Sequence, residues 1–232
     1  MKALVLVGGL GTRLRERVPT LPKPMAPVAG RPFLEYVLDL LVAGGVSDVI
    51  LAVGYRAESI ETHFGSSYRG ATLRYSRETE PLGTGGAMVQ ALQGEGPDPV
   101  LVLNGDTYLN IDAGELIRWY LDHPCQVAMV LKETADVARY GAVKLAGDCV
   151  TGFAEKGETG PGLINAGIYV VLPEVFAELG MTGRFSFETA ILQAHCATLK
   201  PRAFVTDAYF VDIGIPEDLD RADRELPAIA RQ

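Results

Sequence analysis

The run Ala3-Leu4-Val5-Leu6-Val7 is apolar at every position and ends on Gly8-Gly9. A strand with one wet face alternates apolar and polar residues, whereas a strand without alternation needs cover on both faces. Such strands lie inside parallel sheets, with crossover helices on either side. Asp48–Val53, apolar from Val49 onward, and Pro99–Leu103 repeat the pattern, and Thr72–Ser76 reads as a further strand. Between them the spacing turns helical. Phe33, Val37, Leu40 and Leu41 share one face of Phe33–Val42, which Gly44-Gly45 stops, and Ala57–Phe64 is closed by Gly65. Ala87–Leu92 reads as a helix, as does Ile111–Leu121 with Asp112 as N-cap. This βαβα alternation predicts an α/β fold with a mainly parallel central sheet and helices on both faces.

The pattern changes after a strand at Gln126–Leu131. Val137–Phe153 reads as two short strands around Gly147-Asp148, and Leu163–Val171, Arg202–Thr206 and Tyr209–Val211 follow as strands. Strands without intervening helices predict an antiparallel or mixed addition to the sheet. A helix starts at Phe185-Ser186-Phe187-Glu188 and runs to about Ala194, and a last helix opens with Pro216 in its first turn. A chain of 232 residues with 48% hydrophobic content suits one domain.

The first apolar run leads into Gly8-Gly9-Leu10-Gly11-Thr12-Arg13-Leu14, then Pro22-Lys23-Pro24. Glycines at the carboxyl end of a buried strand let backbone N–H groups approach a ligand closely. Arg13 adds a planar charged fork and Lys23 a point charge, restricted by prolines on both sides. Together they suit a polyphosphate. A dinucleotide fingerprint is disfavoured because Leu14 stands where a third small residue belongs, and no Gly-Lys-Ser/Thr is present for a P-loop. A plain glycine turn with surface cations is the remaining alternative. Asp106 follows the apolar strand through Asn104-Gly105, at the sheet edge where open α/β folds bind ligands, and Asp212 likewise ends a strand beside Ile213-Gly214.

A net charge of −8 argues against nucleic acid or an anionic membrane as partner. Cys125, Cys149 and Cys196 have no metal-ligand spacing and predict reduced thiols of a cytoplasmic protein. No apolar run reaches the ~20 residues of a membrane helix, and the amino-terminal one is too short for a signal peptide. His63, His123 and His195 lie outside every motif.

The glycine segment with Pro22-Lys23-Pro24-Met25 closely resembles the signature of the sugar-1-phosphate nucleotidyltransferases, over about Met1 to Ala222. Most similar is the branch that transfers a guanylyl group from GTP to D-glycero-α-D-manno-heptose 1-phosphate or mannose 1-phosphate, for cell-surface polysaccharide. The resemblance implies a Rossmann-like three-layer fold with a small antiparallel sugar-binding lobe. It implies one domain: a nucleotide part over about residues 1–135, a sugar-phosphate part over about 136–215, and a carboxyl-terminal helix over 216–232. Arg13, Lys23 and Asp106 are then catalytic, and Asp106 and Asp212 hold Mg²⁺. Leu6, Gly8, Gly9, Gly11, Thr12, Glu80 and Gly85 are implied to bind nucleotide. Glu80 opens Glu80-Pro81-Leu82-Gly83-Thr84 and is expected to accept hydrogen bonds from guanine. Gly141, Glu155, Lys156 and Asn165 are implied to bind the sugar phosphate. Glu188 is open between a helix-terminus role and a sugar contact. The expected partners are a nucleoside triphosphate and a sugar 1-phosphate. Oligomeric state, a homo-oligomer included, is not legible from these residues. Uridylyl transfer to an amino sugar such as N-acetylmuramate 1-phosphate and a non-catalytic sugar-nucleotide sensor are the competing functions.

Overall fold

The computed structural model describes residues 1–9, 11–14 and 17–230, with Thr12 by its backbone alone. Ten strands form one sheet. In spatial order they are Val143–Ala146, Cys149–Phe153, Arg202–Thr206, Val127–Thr134, Gly162–Val171, Val100–Asn104, Lys2–Leu6, Asp48–Val53, Ala71–Arg77 and Ser67–Tyr68. Lys2–Leu6 pairs parallel to both neighbours, Asp48–Val53 and Val100–Asn104. The chain builds outward from the first strand in one direction, then returns to its other side. That reversal opens a crevice at the strands' carboxyl ends.

Both faces of the sheet are covered. Ala3, Val5 and Val7 enter one core, with side chains of helices Phe33–Ala43, Ala57–Phe64, Ala113–Asp122 and Pro216–Ile229. Leu4 enters the other, with helix Gly83–Leu92 and the Glu188–Gln193 segment. This is the physical reason the run does not alternate. Among the described residues no helix is long and apolar enough to cross a membrane.

The later strands extend this same sheet. Gly162–Val171 is antiparallel to Val100–Asn104 and Val127–Thr134, and the Val143–Ala146 and Cys149–Phe153 pair adds an antiparallel edge. Arg202–Thr206 instead runs parallel to Val127–Thr134. Several boundaries differ from expectation, and the first of the two strands expected over Val137–Phe153 begins only at Val143. The third helix begins at Gly83, so the glycines expected in a loop form its first turn. The segment expected as one helix to Ala194 is helical, but as a π-helix over Glu188–Gln193, followed by the short helix Cys196–Leu199. A separate two-stranded ribbon pairs Thr107–Leu109 with Phe210–Asp212, Asp212 lying opposite Thr107.

The opposite, amino-terminal edge of the sheet is tied by charge. Lys2 Nζ meets Glu95 Oε2 at 2.5 Å, and Arg74 pairs with both Glu95 and Asp48. Hydrogen bonds from Arg74 and Lys2 hold the Glu95 carboxyl down at about 2, against an ordinary 4.5. Its contribution to stability is therefore present above about 4.5 and lost as pH falls toward 2. Glu95→Gln is expected to lower stability by about 1–3 kcal/mol at neutral pH. The difference from the parent should vanish near pH 2, as read by denaturant unfolding at several pH values.

Candidate active site

A cleft of about 410 Å³ lies at the carboxyl ends of the central strands, within the range of small-molecule sites. Its walls include Leu6, Gly8, Gly9, Gly11, Arg13, Lys23 and Asp106 from the expected set. Thr12 was expected to bind nucleotide; its side chain lies outside the described residues.

Lys23 sits on a tight helical turn, Lys23–Met25, entered through an extended Pro22. Gly11 crosses directly over it with φ +53°, and a Cβ there would come within 2.9 Å of Lys23 Cβ. Only glycine satisfies both the left-handed backbone and the close approach. The Lys23 ammonium reaches Asp106 Oδ2 at 2.6 Å and Asp212 Oδ1 at 3.4 Å. The two carboxylates meet because of the ribbon: beyond Asp212, the N–H of Ile213 donates to the carbonyl of Asp106 at 3.0 Å. Asp212 also faces Arg139, at 3.6 Å.

The nucleotide loop differs from expectation. Glu80 is exposed and is not among the cleft-lining residues, whereas Glu78 is. Glu78 follows the strand directly and donates its N–H to the carbonyl of Val53 at 2.8 Å. Its Oε2 lies 3.1 Å and 3.2 Å from where side chains would begin on Gly8 and Gly54. Burial raises its carboxyl pKa, partly offset by a hydrogen bond from the Leu82 backbone. Both acids have the same strand parity; two residues further from the sheet, Glu80 has turned outward.

Gly85 is a packing residue in this structure. Its N–H donates to the carbonyl of Phe185 at 3.0 Å, and a Cβ on it would lie 2.0 Å from the Phe185 ring. The N–H expected to meet a ligand is thus already used. Gly85→Ala is expected to destabilise the fold by roughly 1–3 kcal/mol through overpacking, readable as a lowered midpoint of thermal unfolding.

Glu188, open between a helix-terminus role and a sugar contact, is hydrogen-bonded within the fold. It accepts from Thr84 Oγ1 at 2.6 Å, Ser186 Oγ at 2.9 Å and the Tyr169 hydroxyl at 3.4 Å. Asn165 Nδ2 donates to the same Tyr169 hydroxyl at 2.7 Å, and its Oδ1 accepts from the Gly167 N–H at 2.9 Å. This chain joins the glycine helix to the strand opposite. Ser186 also caps, accepting the N–H of Thr189 at 3.2 Å.

Gly141, Glu155 and Lys156, expected to bind the sugar phosphate, come together. A Cβ on Gly141 would lie 2.8 Å from the carbonyl of Ala154 and 3.7 Å from Lys156 Cγ. Glu155 and Lys156 are exposed, and none of the three lines the 410 Å³ cleft. Two charged cleft residues were not singled out from the sequence: Glu78 and Arg184. Arg184 is placed by the loop whose Phe185 packs on the glycine helix, a long-range contact with no local pattern.

Among the described residues no three His, Cys, Asp or Glu side chains cluster as a metal site. The Asp106–Asp212 pair nevertheless fits Mg²⁺. These two oxygens already converge on one cationic atom, Lys23 Nζ. Mg²⁺ is held by one or two carboxylates, with water and substrate phosphate filling the rest.

The sequence matches the model of the family described as "Nucleotidyl transferase" over residues 2–228. The chain belongs to this nucleotidyl transferase family. It is 41% identical over 226 residues to a D-glycero-alpha-D-manno-heptose 1-phosphate guanylyltransferase of Aneurinibacillus thermoaerophilus, covering 97% of this chain and 98% of that one. A protein of the same name from Campylobacter jejuni is 42% identical over 219 residues, covering 94% of this chain and 96% of that one. Among solved structures, HddC from Yersinia pseudotuberculosis complexed with GMP-PN superposes with a TM-score of 0.84 at 35% identity, covering 97% of this chain and 99% of that one. This nucleotidyl transferase therefore shares sequence with guanylyltransferases, and fold with HddC, along nearly its whole length.

Proposed function

We propose that this nucleotidyl transferase condenses GTP with a sugar 1-phosphate, D-glycero-α-D-manno-heptose 1-phosphate or mannose 1-phosphate, releasing pyrophosphate and a GDP-sugar. One observation carries the reading: Lys23, Asp106 and Asp212 converge beside a glycine-walled cleft of nucleotide size. The relatives supply the choice of guanylyl transfer and of heptose.

An oxygen of the sugar phosphate attacks the α-phosphorus in line. A new P–O bond forms, the α–β bridge breaks, and its electron pair leaves with pyrophosphate. The attacking phosphate is already anionic, so no general base is required. The histidines accord with this: His63 pairs with Glu35, and His123 bonds the carbonyl of Trp119. Positioning and charge neutralisation then set the rate. Arg13 holds the β- and γ-phosphates, and Lys23 turns from the carboxylates to the α-phosphate. Arg184 extends the cationic rim of the cleft. Gly141, Glu155, Lys156 and Asn165 form the sugar-phosphate side, with Lys156 on the phosphate and Glu155 on hydroxyls; their domain portion is the segment of about 136–215. Asp106 and Asp212 would hold Mg²⁺, which when bound supplies Lewis-acid stabilisation of phosphate charge.

Glu78 takes the base-reading role expected of Glu80. A half-buried carboxylate accepts from guanine N1–H and N2–H₂, a donor pair that uracil lacks. Glu78→Gln is expected to cut the GTP-over-UTP ratio of kcat/KM by a factor of about 10 or more, the worth of a charged hydrogen bond. Glu80→Gln should leave that ratio unchanged. The overall reading is tested by pyrophosphate release across four nucleotides and several sugar phosphates. Turnover with UTP and an amino-sugar phosphate, and none with GTP, would replace it. The three cysteines are free, which supports a cytoplasmic setting.

A further inference from the structure

We infer that Arg139 is a positioning residue for Asp212, and that it ties the sugar-phosphate side of the site to the nucleotide side. The inference rests on the cation-holding role proposed above for Asp212. Arg139 lies two residues before Gly141, in the segment that carries the sugar-side cluster. Its guanidinium forks across two acids. Nη1 pairs with Asp218, a buried carboxylate on the last helix with 9% exposure. Nη2 points toward Asp212 Oδ2 at 3.6 Å, is itself buried, and has no hydrogen-bond partner among the described residues.

The ring of Tyr140 lies 5.1 Å beneath the guanidinium and restrains its plane. Gly214, on the cleft wall, packs over the pair: a Cβ there would lie 3.0 Å from Asp212 Oδ1 and 3.5 Å from Arg139 Nη2. A fork aimed this way costs a buried, unpaired N–H unless Asp212 closes on it. Asp212 is thus divided between two cations, Oδ1 toward Lys23 and Oδ2 toward Arg139. When Lys23 turns to a phosphate, Asp212 loses one of them. Arg139 then keeps Oδ2 and leaves Oδ1 facing Asp106. Partners that orient a metal-binding carboxylate typically matter by 10–100-fold in affinity or activity, which sets the expected size here at about tenfold or more.

The competing role is a purely structural tie between residues 137–141 and the last helix. Two variants separate the two: Arg139→Gln, and Arg139→Gln combined with Asp218→Asn. The double variant avoids leaving Asp218 buried and charged beside a lost partner, so it keeps the test usable if the single variant folds poorly. Mn²⁺ binding is read by electron paramagnetic resonance with a non-hydrolysable GTP analogue present, alongside kcat and thermal midpoint. Both variants are expected to weaken Mn²⁺ binding about tenfold or more and to lower kcat similarly. Recovery of thermal stability in the double variant should not restore either. Wild-type Mn²⁺ affinity and kcat in the double variant would overturn the inference and leave the cation-holding role of Asp212 standing. An unmodified protein that turns over yet binds no Mn²⁺ would overturn both.

Discussion

Asp106→Ala is expected to lower kcat for pyrophosphate release by a factor of about 10² or more, the usual effect of removing one electrostatic contact to the reacting charge. Asp106 is the nearer partner of Lys23 and half of the converging carboxylate pair. Its side chain is 38% exposed, so the core does not depend on it. The ribbon that carries the site uses its backbone carbonyl, bonded to the Ile213 N–H, which alanine retains. The thermal midpoint should therefore move little while turnover collapses. Asp106→Asn keeps the shape and removes the charge, and it should fall nearly as far. Near-normal turnover in either variant would show that charge at this position is dispensable.

Arg13→Ala is expected to lose a factor of about 10² in kcat/KM, again without loss of stability. Arg13 lines the cleft with an exposed side chain, so its truncation leaves packing intact and removes only the phosphate contact proposed for it. A fork that grips two phosphate oxygens is poorly replaced by a point charge. Arg13→Lys should accordingly recover only part of the loss. Steady-state kinetics with GTP varied would separate the outcomes. A variant impaired only in its sugar-phosphate KM would move Arg13 to the other substrate.

Much of this molecule was legible from its residues. The unalternating runs at Ala3–Val7 and Asp48–Val53 required a sheet covered on both faces, and two cores are found on its two sides. Asp112 was readable as a cap because a short acid before a helix accepts a free N–H; its side chain takes that of Gly114 at 2.8 Å. The gathering of Lys23, Asp106 and Asp212 came from family likeness, not from local pattern. The ribbon that accomplishes it pairs three residues with three, too short to leave a periodic trace. Glu78 and Glu80 were indistinguishable by alternation alone, since only the distance from the strand end separates an inward acid from an outward one. Gly85 looked like ligand-binding backbone because the ring that occupies its open side, Phe185, arrives from a hundred residues away in sequence. Arg139 carried no signal at all, as its partners Asp212 and Asp218 are far along the chain.

The ribbon between Thr107–Leu109 and Phe210–Asp212 is also expected to set when this protein becomes competent. Lys23 is separated by 83 residues from one of its acidic partners and by 189 from the other. Closing loops of that length is slow, and its entropy must be met before any contact rewards it. Neither half of the chain holds Lys23, Asp106 and Asp212 together. A fragment ending before Phe210 would keep the glycine segment and one acid yet lack the other. Activity should emerge late in refolding, after most secondary structure has returned, and two inactive fragments divided between these strands should regain it only when mixed.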